Sequence, residues 1–552
     1  MADAFTPEER AALAPYFTSL DGPVFALVNL PEVVKGALFA RYSRSPKSLR
    51  RLFLDEFMDD VGGAAPPPSP PLDDRGGAAP PPSPPLARDA AGSRSTRRAE
   101  QLYERVFVEY GDDSVAQLGG VHLACEGASN LLTKVLEWGR LMAYLEQSTR
   151  YVPYDDRPGG RYRYHVPAEL AGPLRDRYVA TLDRCFDAYR AWLPRLREHF
   201  AAKHPAAPGE SEGAWRMSIR AKALDTLRGM LPAATVSNVG IYGTGQAWEQ
   251  LLLRMRAHPL AEVRACAGLM LVELRKIVPA FLRRVDVPDR GGAWSDYLAE
   301  TRVATREVAD RLLAGAAPAP RPEVVLTDFD PDGEAKVVAA ALYAASNLPD
   351  DELLARARRM SPDERAAVLA AYVGKRRNRR HRPGRAFERT GYRFDVLGDY
   401  GAFRDLQRHR LLTLEWQRLT PRHGFVLPEA LAEAGAEADF RRVLEESAAL
   451  HDAIEAAGLP DVASYAVSMA YRVRFYMEMN AREAMHVIEL RTGPQGHPAY
   501  RRICQAMHRL IAEGAGHRAI AAAMTFADHS EVALERLEAE RAAERRRAAS
   551  QS

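Results

Sequence analysis

Side chains that could do chemistry first occur together in a short run, residues 146–151. Glu146, Ser148 and Arg150 alternate along it, so that in an extended chain their side chains can face one ligand. An arginine fork beside a serine hydroxyl suits a phosphate group, and Glu146 could orient a ribose or a base. The structural alternative is an N-cap serine with an i,i+4 Glu–Arg pair, and the spacing alone favours it.

A second group is the cationic run Arg408, His409 and Arg410. Apolar residues flank this run on both sides, and cations that become buried require anions. A pyrophosphate or an isoalloxazine ring would satisfy them. An exposed basic helix face is the alternative, which the run taken alone favours.

A third group is formed by Asn480, Arg482 and Arg491. Arg491 lies about three helical turns after Asn480, so the two residues would share one face of a helix. Because apolar residues adjoin Arg491, this arginine is suited to a buried anionic ligand. A single snorkelling arginine is the alternative.

Helices are predicted to position these groups. Apolar residues three and four apart predict a helix of about 30 residues that begins at Asp113 or Ser114 and ends before Glu146. A second long helix is predicted over about 462–490, just before Arg491. The other predicted elements are helices over 215–230, 245–256, 261–285, 335–347, 351–358 and 362–373, and a strand over 392–396.

The composition excludes several classes of protein. The chain has 552 residues and a net charge of +3, so we expect two or three domains and no global field for nucleic acid. The basic loop at 375–382 lacks interleaved aromatic residues, so an RNA interface is not expected either. The sequence lacks a run of about 18 apolar residues, so no membrane span is expected.

Cysteine and histidine spacing gives no sign of a metal site. The four cysteines are scattered without a CxxC pair, and the histidines show no metal-binding spacing. We therefore predict a reduced, cytoplasmic protein without a metal.

Shifts in composition divide the chain. We predict one half at 1–313, an Ala/Pro-rich linker at 314–323, a second half at 324–530 and a charged tail at 531–552. Residues 62–95 contain a proline-rich segment that begins at Gly62 and recurs at Gly76, and we predict a disordered insertion there. A proline-rich docking motif is the alternative.

Together these motifs resemble the flavin-dependent thymidylate synthases, whose signature is Arg-His-Arg-x-x-Ser-x-Asn-Glu-x-Ser-x-Arg-Tyr. The first half is similar to the end of this signature, with matches at Arg140, Glu146, Ser148, Arg150 and Tyr151. The second half is similar to its beginning, with matches at Arg408, His409 and Arg410.

Two further motifs carry the resemblance. Arg228, Leu231 and Pro232 are similar to the family's Arg-x-x-Leu-Pro element, whose arginine binds nucleotide. The group that ends at Arg491 is similar to the family's Asn-x-Arg followed by an arginine that contacts the pyrimidine. Asp405 stands where the family usually has a glutamine that contacts nucleotide.

The resemblance implies a predominantly helical α+β fold. It comprises two similar halves, each with long helices and a small sheet, packed as a pseudo-dimer. The implied reaction converts dUMP to dTMP with methylenetetrahydrofolate as carbon donor, FAD as cofactor and NADPH as reductant. Nucleotide and folate are the implied small-molecule partners, and dimers of the two-half chains are implied as well.

The resemblance also assigns roles to residues. Arg491 is implied as the catalytic residue, because it would stabilise a pyrimidine ionised at N3. Residues implied in substrate binding are Glu146, Ser148, Arg150, Arg228 and Arg491. Residues implied in FAD binding are Arg408, His409, Arg410, Asn480 and Arg482. The implied site is a composite to which both halves contribute.

Two alternatives stay open. One is a divergent flavin-dependent methyl or hydroxymethyl transferase that acts on another pyrimidine nucleotide. The other is a non-catalytic helical scaffold or nucleotide-binding module that kept its arginines for structural reasons.

Overall fold

The computed structural model describes residues 4–58, 117, 119–208, 211–538, 540–542 and 544–545. The predicted proline-rich insertion and the predicted helix start at Asp113 or Ser114 lie outside these residues. The chain forms two compact units: the first comprises Met1–Arg175 and Ala234–Ala316, and the second comprises Asp176–Ala233 and Ala317–Ser552. The change of unit at Ala316 falls within the predicted linker, whereas Asp176–Ala233 comes from the first half of the sequence.

Each unit contains one small antiparallel sheet. The strands are β1 (Val24–Leu27), β2 (Gly120–Ser129), β3 (Met142–Glu146), β4 (Val236–Thr244), β5 (Val324–Phe329), β6 (Gly391–Asp399), β7 (Thr413–Trp416) and β8 (Arg472–Asn480). The order is β1-β2-β4-β3 in the first unit and β5-β6-β8-β7 in the second. The shared order, with helices in both units, confirms the prediction of a predominantly helical α+β chain with two similar halves.

Helices make up most of the remaining ordered structure. Those of the first unit are α1 (Pro7–Leu13), α2 (Glu32–Tyr42), α3 (Leu49–Glu56), α4 (Asn130–Leu136), α7 (Gly245–Arg256), α8 (Ala261–Arg275) and α9 (Ala293–Leu312). Helix α5 (Gly172–Lys203) begins in the first unit and continues into the second, where α6 (Glu212–Leu227) follows it.

The second unit also contains the helices of the C-terminal part of the chain. They are α10 (Gly333–Tyr343), α11 (Asp350–Arg359), α12 (Pro362–Val373), α13 (Tyr400–Leu406), α14 (Glu429–Glu433), α15 (Glu437–Ala456), α16 (Pro460–Ala463), α17 (Ala481–Arg491), α18 (Pro498–Arg509) and α19 (Arg518–Ala522). In the part of the chain that the structure describes, no helix combines the length and apolarity that crossing a membrane requires.

The long helix predicted before Glu146 is wrong. Residues 120–146 form strand β2, the short helix α4 and strand β3. Strand β2 pairs with β1 on one side and β4 on the other, and its register shifts between Cys125 and Ala128. A central strand with such a bulge is apolar on both faces in places, so its apolar spacing imitates a helix.

The long helix predicted over 462–490 is also wrong in its first part. Strand β8 occupies Arg472–Asn480, and α17 begins only after it. Buried side chains alternate along β8 at Val473, Phe475, Met477 and Met479. This period of two is the strand signal that the helix prediction overlooked.

Other predicted elements agree better with the structure. The helices predicted over 245–256 and 362–373 coincide with α7 and α12. The strand predicted over 392–396 lies inside β6, Gly391–Asp399. The helix predicted over 261–285 is too long, because α8 ends at Arg275 shortly before Pro279.

A short backbone pairing fixes Arg228 within the second unit. Ala233 N–H donates to the carbonyl of Val467 at 2.8 Å, and Met469 N–H donates to that of Leu231 at 2.9 Å. A Cβ at Gly229 would lie 3.0 Å from the Ala470 Cβ, so the two segments approach as closely as glycine allows. The segment from the first half of the sequence is thereby held beside the β8 end of the second sheet.

Candidate functional site

One carboxylate in the second unit is surrounded by three of the arginines that the sequence singled out. Asp405, on α13, accepts from Arg408 at 2.5 Å through its Oδ1. Arg228 Nη1 lies 3.5 Å from Asp405 Oδ2, and Arg491 Nη1 lies 3.8 Å from Oδ1. Arg491 also donates from Nη2 to the Asp405 carbonyl at 2.5 Å. We call Arg228, Asp405, Arg408 and Arg491 the arginine cluster.

His409 links the arginine cluster to helix α17. Its Nε2 accepts from Arg491 Nε at 2.9 Å, so the neutral ring carries its proton on Nδ1, 3.7 Å from Glu483 Oε1. Burial, reinforced by the Arg491 charge, lowers the pKa of His409 to about 4. His409 is therefore a neutral acceptor for Arg491 at physiological pH.

Glu483 is the anionic end of the same chain of contacts. Burial opposes its ionisation, but hydrogen bonds from His409 and His486 outweigh burial and lower the pKa of Glu483 to about 2. The His486 Nδ1 lies 3.2 Å from both Glu483 carboxylate oxygens. The ionised carboxylate thus holds His409 in the orientation that receives Arg491.

Arg228 lies deepest in the cluster, with its side chain 5% exposed. Its Nη2 is 3.9 Å from Asp399 Oδ1 and donates no hydrogen bond to any residue that the structure describes. A Cβ at Gly401 would approach its Nε to 2.9 Å, so glycine is needed for the guanidinium to lie against α13. Burial raises the pKa of Asp399, and the Arg228 charge opposes this.

Asn480 and Arg491 mark the two ends of helix α17. The Asn480 Oδ1 accepts from the backbone N–H of Glu483 at 2.9 Å and so caps the helix. Arg491 is the last residue of the same helix. Asn480 therefore stabilises the first turn of α17, which carries Glu483. The three helical turns predicted between Asn480 and Arg491 are those of α17.

Two of the predicted residues, Arg482 and Arg410, are not members of the arginine cluster. Arg482 donates from Nε to the Pro383 carbonyl at 2.9 Å and from Nη1 to Glu388 at 3.3 Å. These contacts tie α17 to the segment after the basic loop. Arg410 is exposed, beyond the buried His409.

The residues of the 146–151 run belong to the first unit. Glu146 ends strand β3 and is buried, 3.4 Å from Lys134 Nζ, which also lies 2.6 Å from Glu137. Ser148 Oγ accepts from the backbone N–H of Arg150 at 3.2 Å, and Arg150 is 7% exposed. Glu146 thus contributes to a buried ion-pair group, and Ser148 shapes the turn that carries Arg150.

The sequence patterns did not predict the parts played by Asp405, Glu483 and His486. Ligand atoms of His409, Glu483 and His486 lie within 4.8 Å of one another, close enough to hold a metal ion. Glu483 and His486 are three residues apart on one helix, a spacing that the sequence shows. His409 belongs to a distant segment, so the sequence does not show that it joins this pair. In the protonation state described above, the three side chains form a hydrogen-bonding relay to Arg491.

Comparison with known proteins finds the same family in both halves of the sequence. The sequence profile of the family described as "Thymidylate synthase complementing protein" matches residues 83–280 and again 325–515. The first match includes strands β2, β3 and β4, and the second extends from Val325 in β5 through β8, whereas β1 lies outside both. The two matches also include every residue of the arginine cluster and of the 146–151 run.

Similar proteins fall into two groups. A "UPF0159 protein" from Chlamydia muridarum (strain MoPn / Nigg) is 38% identical over 540 residues, which cover 97% of this chain and 98% of that protein. "UPF0159 protein Ta1429" from Thermoplasma acidophilum is 30% identical, covering 80% of this chain and 92% of that protein. A "Flavin-dependent thymidylate synthase" from Mycobacterium sp. (strain JLS) is 30% identical over 182 residues, 32% of this chain and 67% of that protein.

Proposed function

The chain belongs to the thymidylate synthase complementing protein family, and from this premise we propose that it is a flavin-dependent thymidylate synthase. The reaction would convert dUMP to dTMP with methylenetetrahydrofolate, FAD and NADPH. The observation that carries the proposal is the arginine cluster with His409. Three guanidinium groups that converge in one half-buried place suit the phosphates of a nucleotide or of a flavin dinucleotide.

The residues present fit an anionic dinucleotide. Arg228 Nη2 is a buried donor without an acceptor among the described residues. A phosphate oxygen would accept the hydrogen bond that this nitrogen lacks. Arg408, whose side chain is 31% exposed, and the exposed Arg410 lie on the accessible side. We assign phosphate binding to these three arginines, and positioning roles to His409 and Asn480.

Arg482 would act indirectly. Its contacts to Pro383 and Glu388 fix the start of α17, and therefore the helix that ends at Arg491. In the first unit we assign substrate binding to Ser148 and Arg150, and to Glu146 through its ion pair with Lys134.

Arg491 is the residue that we propose for catalysis. Two of its nitrogens are engaged by His409 and by the Asp405 carbonyl, which fixes the plane of the guanidinium. Its Nη1 is 3.8 Å from Asp405 Oδ1, too long for a hydrogen bond, and can serve a ligand. A fixed cation next to the pyrimidine would stabilise the negative charge that develops when C5 attacks the methylene carbon.

The chemistry divides between cofactors and protein. Bound FAD, reduced by NADPH, supplies the hydride that completes the methyl group. The methylene carbon passes from the folate to C5 of the pyrimidine, the C5 proton leaves, and tetrahydrofolate is released. The proposal uses no enzyme nucleophile, and the four cysteines are indeed free and buried.

A second candidate function is favoured by one observation. Asp405 places a carboxylate among the arginines that would receive phosphate. This favours a flavin-dependent methyl or hydroxymethyl transferase whose pyrimidine substrate differs from dUMP. A non-catalytic nucleotide-binding scaffold is the remaining alternative.

The visible absorbance spectrum of the purified protein, recorded with and without dUMP, tests the proposal. We expect flavin bands that shift when dUMP is added, because both ligands would share one site. Flavin bands that do not respond to dUMP would favour the altered-substrate enzyme. A colourless protein that does not take up added FAD would reject the enzyme and favour the scaffold.

The substitution Arg491→Ala tests the catalytic assignment. We expect kcat to fall by about 100-fold or more, because one fixed charge at the reacting pyrimidine is lost. Arg393→Ala is the control, since Arg393 forms an exposed pair with Glu478 at 2.7 Å on the sheet of the same unit. Unchanged turnover in Arg491→Ala would reject the role.

We also propose that the chain associates as a dimer and works in the cytoplasm. The free, buried thiols suit a reducing compartment, and nucleotide and folate would be its small-molecule partners. Light scattering coupled to gel filtration measures the association directly.

A further inference from the structure

The Asp405 carboxylate lies among the three guanidinium groups of the arginine cluster. It contacts Arg408 at 2.5 Å, Arg228 at 3.5 Å and Arg491 at 3.8 Å. The Asp405 side chain is 13% exposed, so water screens these contacts only in part. Any anion that enters the cluster must be accepted next to this carboxylate.

The charges of the cluster and its contacts cancel when its carboxylates are ionised. The three arginines of the cluster carry three positive charges, and Asp405 and Asp399 carry two negative charges. Glu483, which contacts Arg491 through the neutral His409, carries a third. Three minus three leaves no surplus positive charge, so a second negative charge on an entering anion would have no counter-charge close by.

Phosphate groups differ in how many charges they bring. A phosphate within a diester or a diphosphate bridge carries one negative charge. A terminal phosphate monoester carries between one and a half and two at neutral pH. The second charge of a terminal phosphate would face Asp405 at short range, where like charges repel strongly.

We propose that Asp405 is a specificity-determining residue that makes the arginine cluster select a singly charged phosphate group over a doubly charged one. The inference rests on the proposed function, since it names which phosphate of the proposed ligands the second unit takes. The bridging diphosphate of a dinucleotide meets the requirement, and the terminal phosphate of a nucleoside monophosphate does not. Arg228 accordingly serves the dinucleotide together with Arg408.

Two simple anions test this selectivity without any turnover. At pH 8 inorganic phosphate is mostly a dianion, whereas dimethyl phosphate is a monoanion of similar size. The thermal stabilisation of the full-length protein as a function of anion concentration gives an apparent Kd for each. We expect the wild type to bind dimethyl phosphate at least as tightly as inorganic phosphate.

The variant Asp405→Asn removes the charge and keeps the size of the side chain. We expect its apparent Kd for inorganic phosphate to fall at least tenfold, and that for dimethyl phosphate to change less than threefold. Asp395→Asn is the matched control, because Asp395 pairs with Arg474 at 2.9 Å on β6 of the same unit. The control should leave both constants unchanged.

Several outcomes would overturn the inference. They are a tenfold preference of the wild type for the dianion, equal changes for both anions in Asp405→Asn, and no stabilisation by either anion. If Asp405→Asn fails to fold, the wild-type comparison decides alone. Because the probes are neither flavin nor dUMP, the anion-binding result can be interpreted even if the proposed reaction does not occur.

Discussion

His409 makes the folded protein sensitive to acid. Its pKa is about 4 in the folded chain and 6.5 when exposed, so the unfolded chain binds more protons between these values. Stability is complete above pH 6.5 and is lost as the pH falls toward 4. The whole shift corresponds to about 3 kcal/mol.

Replacing this histidine should flatten the acid response. We expect His409→Gln to remove about 2 kcal/mol of the loss in unfolding free energy between pH 6.5 and pH 5. Urea unfolding at both pH values measures the difference. His381→Gln, in the exposed basic loop, is the control and should keep the wild-type response. An equal loss in wild type and His409→Gln would contradict the assignment.

Arg228 should matter for stability as well as for binding. Arg228→Ala leaves Asp399 and Asp405 buried without this cation, and we expect a loss of about 3 kcal/mol. Arg216→Ala is the control on helix α6, because Arg216 and Glu212 are 69% and 70% exposed. We expect it to lose less than about 0.5 kcal/mol. Similar midpoints of denaturation for the two variants would count against the buried role.

The sequence motifs identified part of this site. Arg228, the adjacent pair Arg408 and His409, and Arg491 are far apart in the chain, and the structure brings them together. Spacing could not predict Asp405 as the common partner of the three arginines, because its contacts with Arg228 and Arg491 join α13 to residues that are distant in the sequence. Arg482 fits a motif as well, and its guanidinium binds a carbonyl and a carboxylate of a neighbouring segment, contacts that the motif did not predict.

At the level of strands and helices, patterning predicted helices α7 and α12 and part of the central strand β6, but it missed the central strands β2 and β8. Helices α7 and α12 each begin after a capping side chain, Thr244 and Ser361, so their starts are clear in the sequence. Strands β2 and β8 each pair on both sides in their sheets. In β2 the bulge disturbs the alternation, whereas β8 does alternate and could have been recognised.

The close contact at Gly229 can be tested with a matched glycine. Gly229→Ala places a Cβ 3.0 Å from Ala470 and 3.3 Å from Phe440, and we expect a loss of about 1–3 kcal/mol. Gly268 lies in helix α8 with open space where an added methyl group would point, so Gly268→Ala should stabilise by about 0.5–1 kcal/mol. Thermal unfolding measures both, and a shift of the same sign in the two variants would contradict this packing.

In the whole molecule, the second unit is assembled from two separate parts of the chain. Sequence composition indicated the linker, but it could not show that Asp176–Ala233 packs with the C-terminal part. That membership depends on long-range pairing, such as Ala233 with Val467, which leaves no mark in local composition.

A fragment experiment tests this assembly. We expect residues 317–552 expressed alone to unfold at least 10 °C below the full chain, because α6 and the Arg228 segment are missing. Circular dichroism during heating measures the difference. Restoration by a separately added polypeptide of residues 1–316 would support the cause, and an equally stable fragment would contradict it.

The backbone pairing of Leu231–Ala233 with Val467–Met469 also bears on how such a chain can evolve. After most gene duplications, either copy can be lost, replaced or recombined without harm to the other. Here the first copy supplies part of the second copy's fold, so neither can be exchanged alone. Selection should therefore keep the two copies as one heritable unit, and substitutions at the paired segments should arise as compensating pairs.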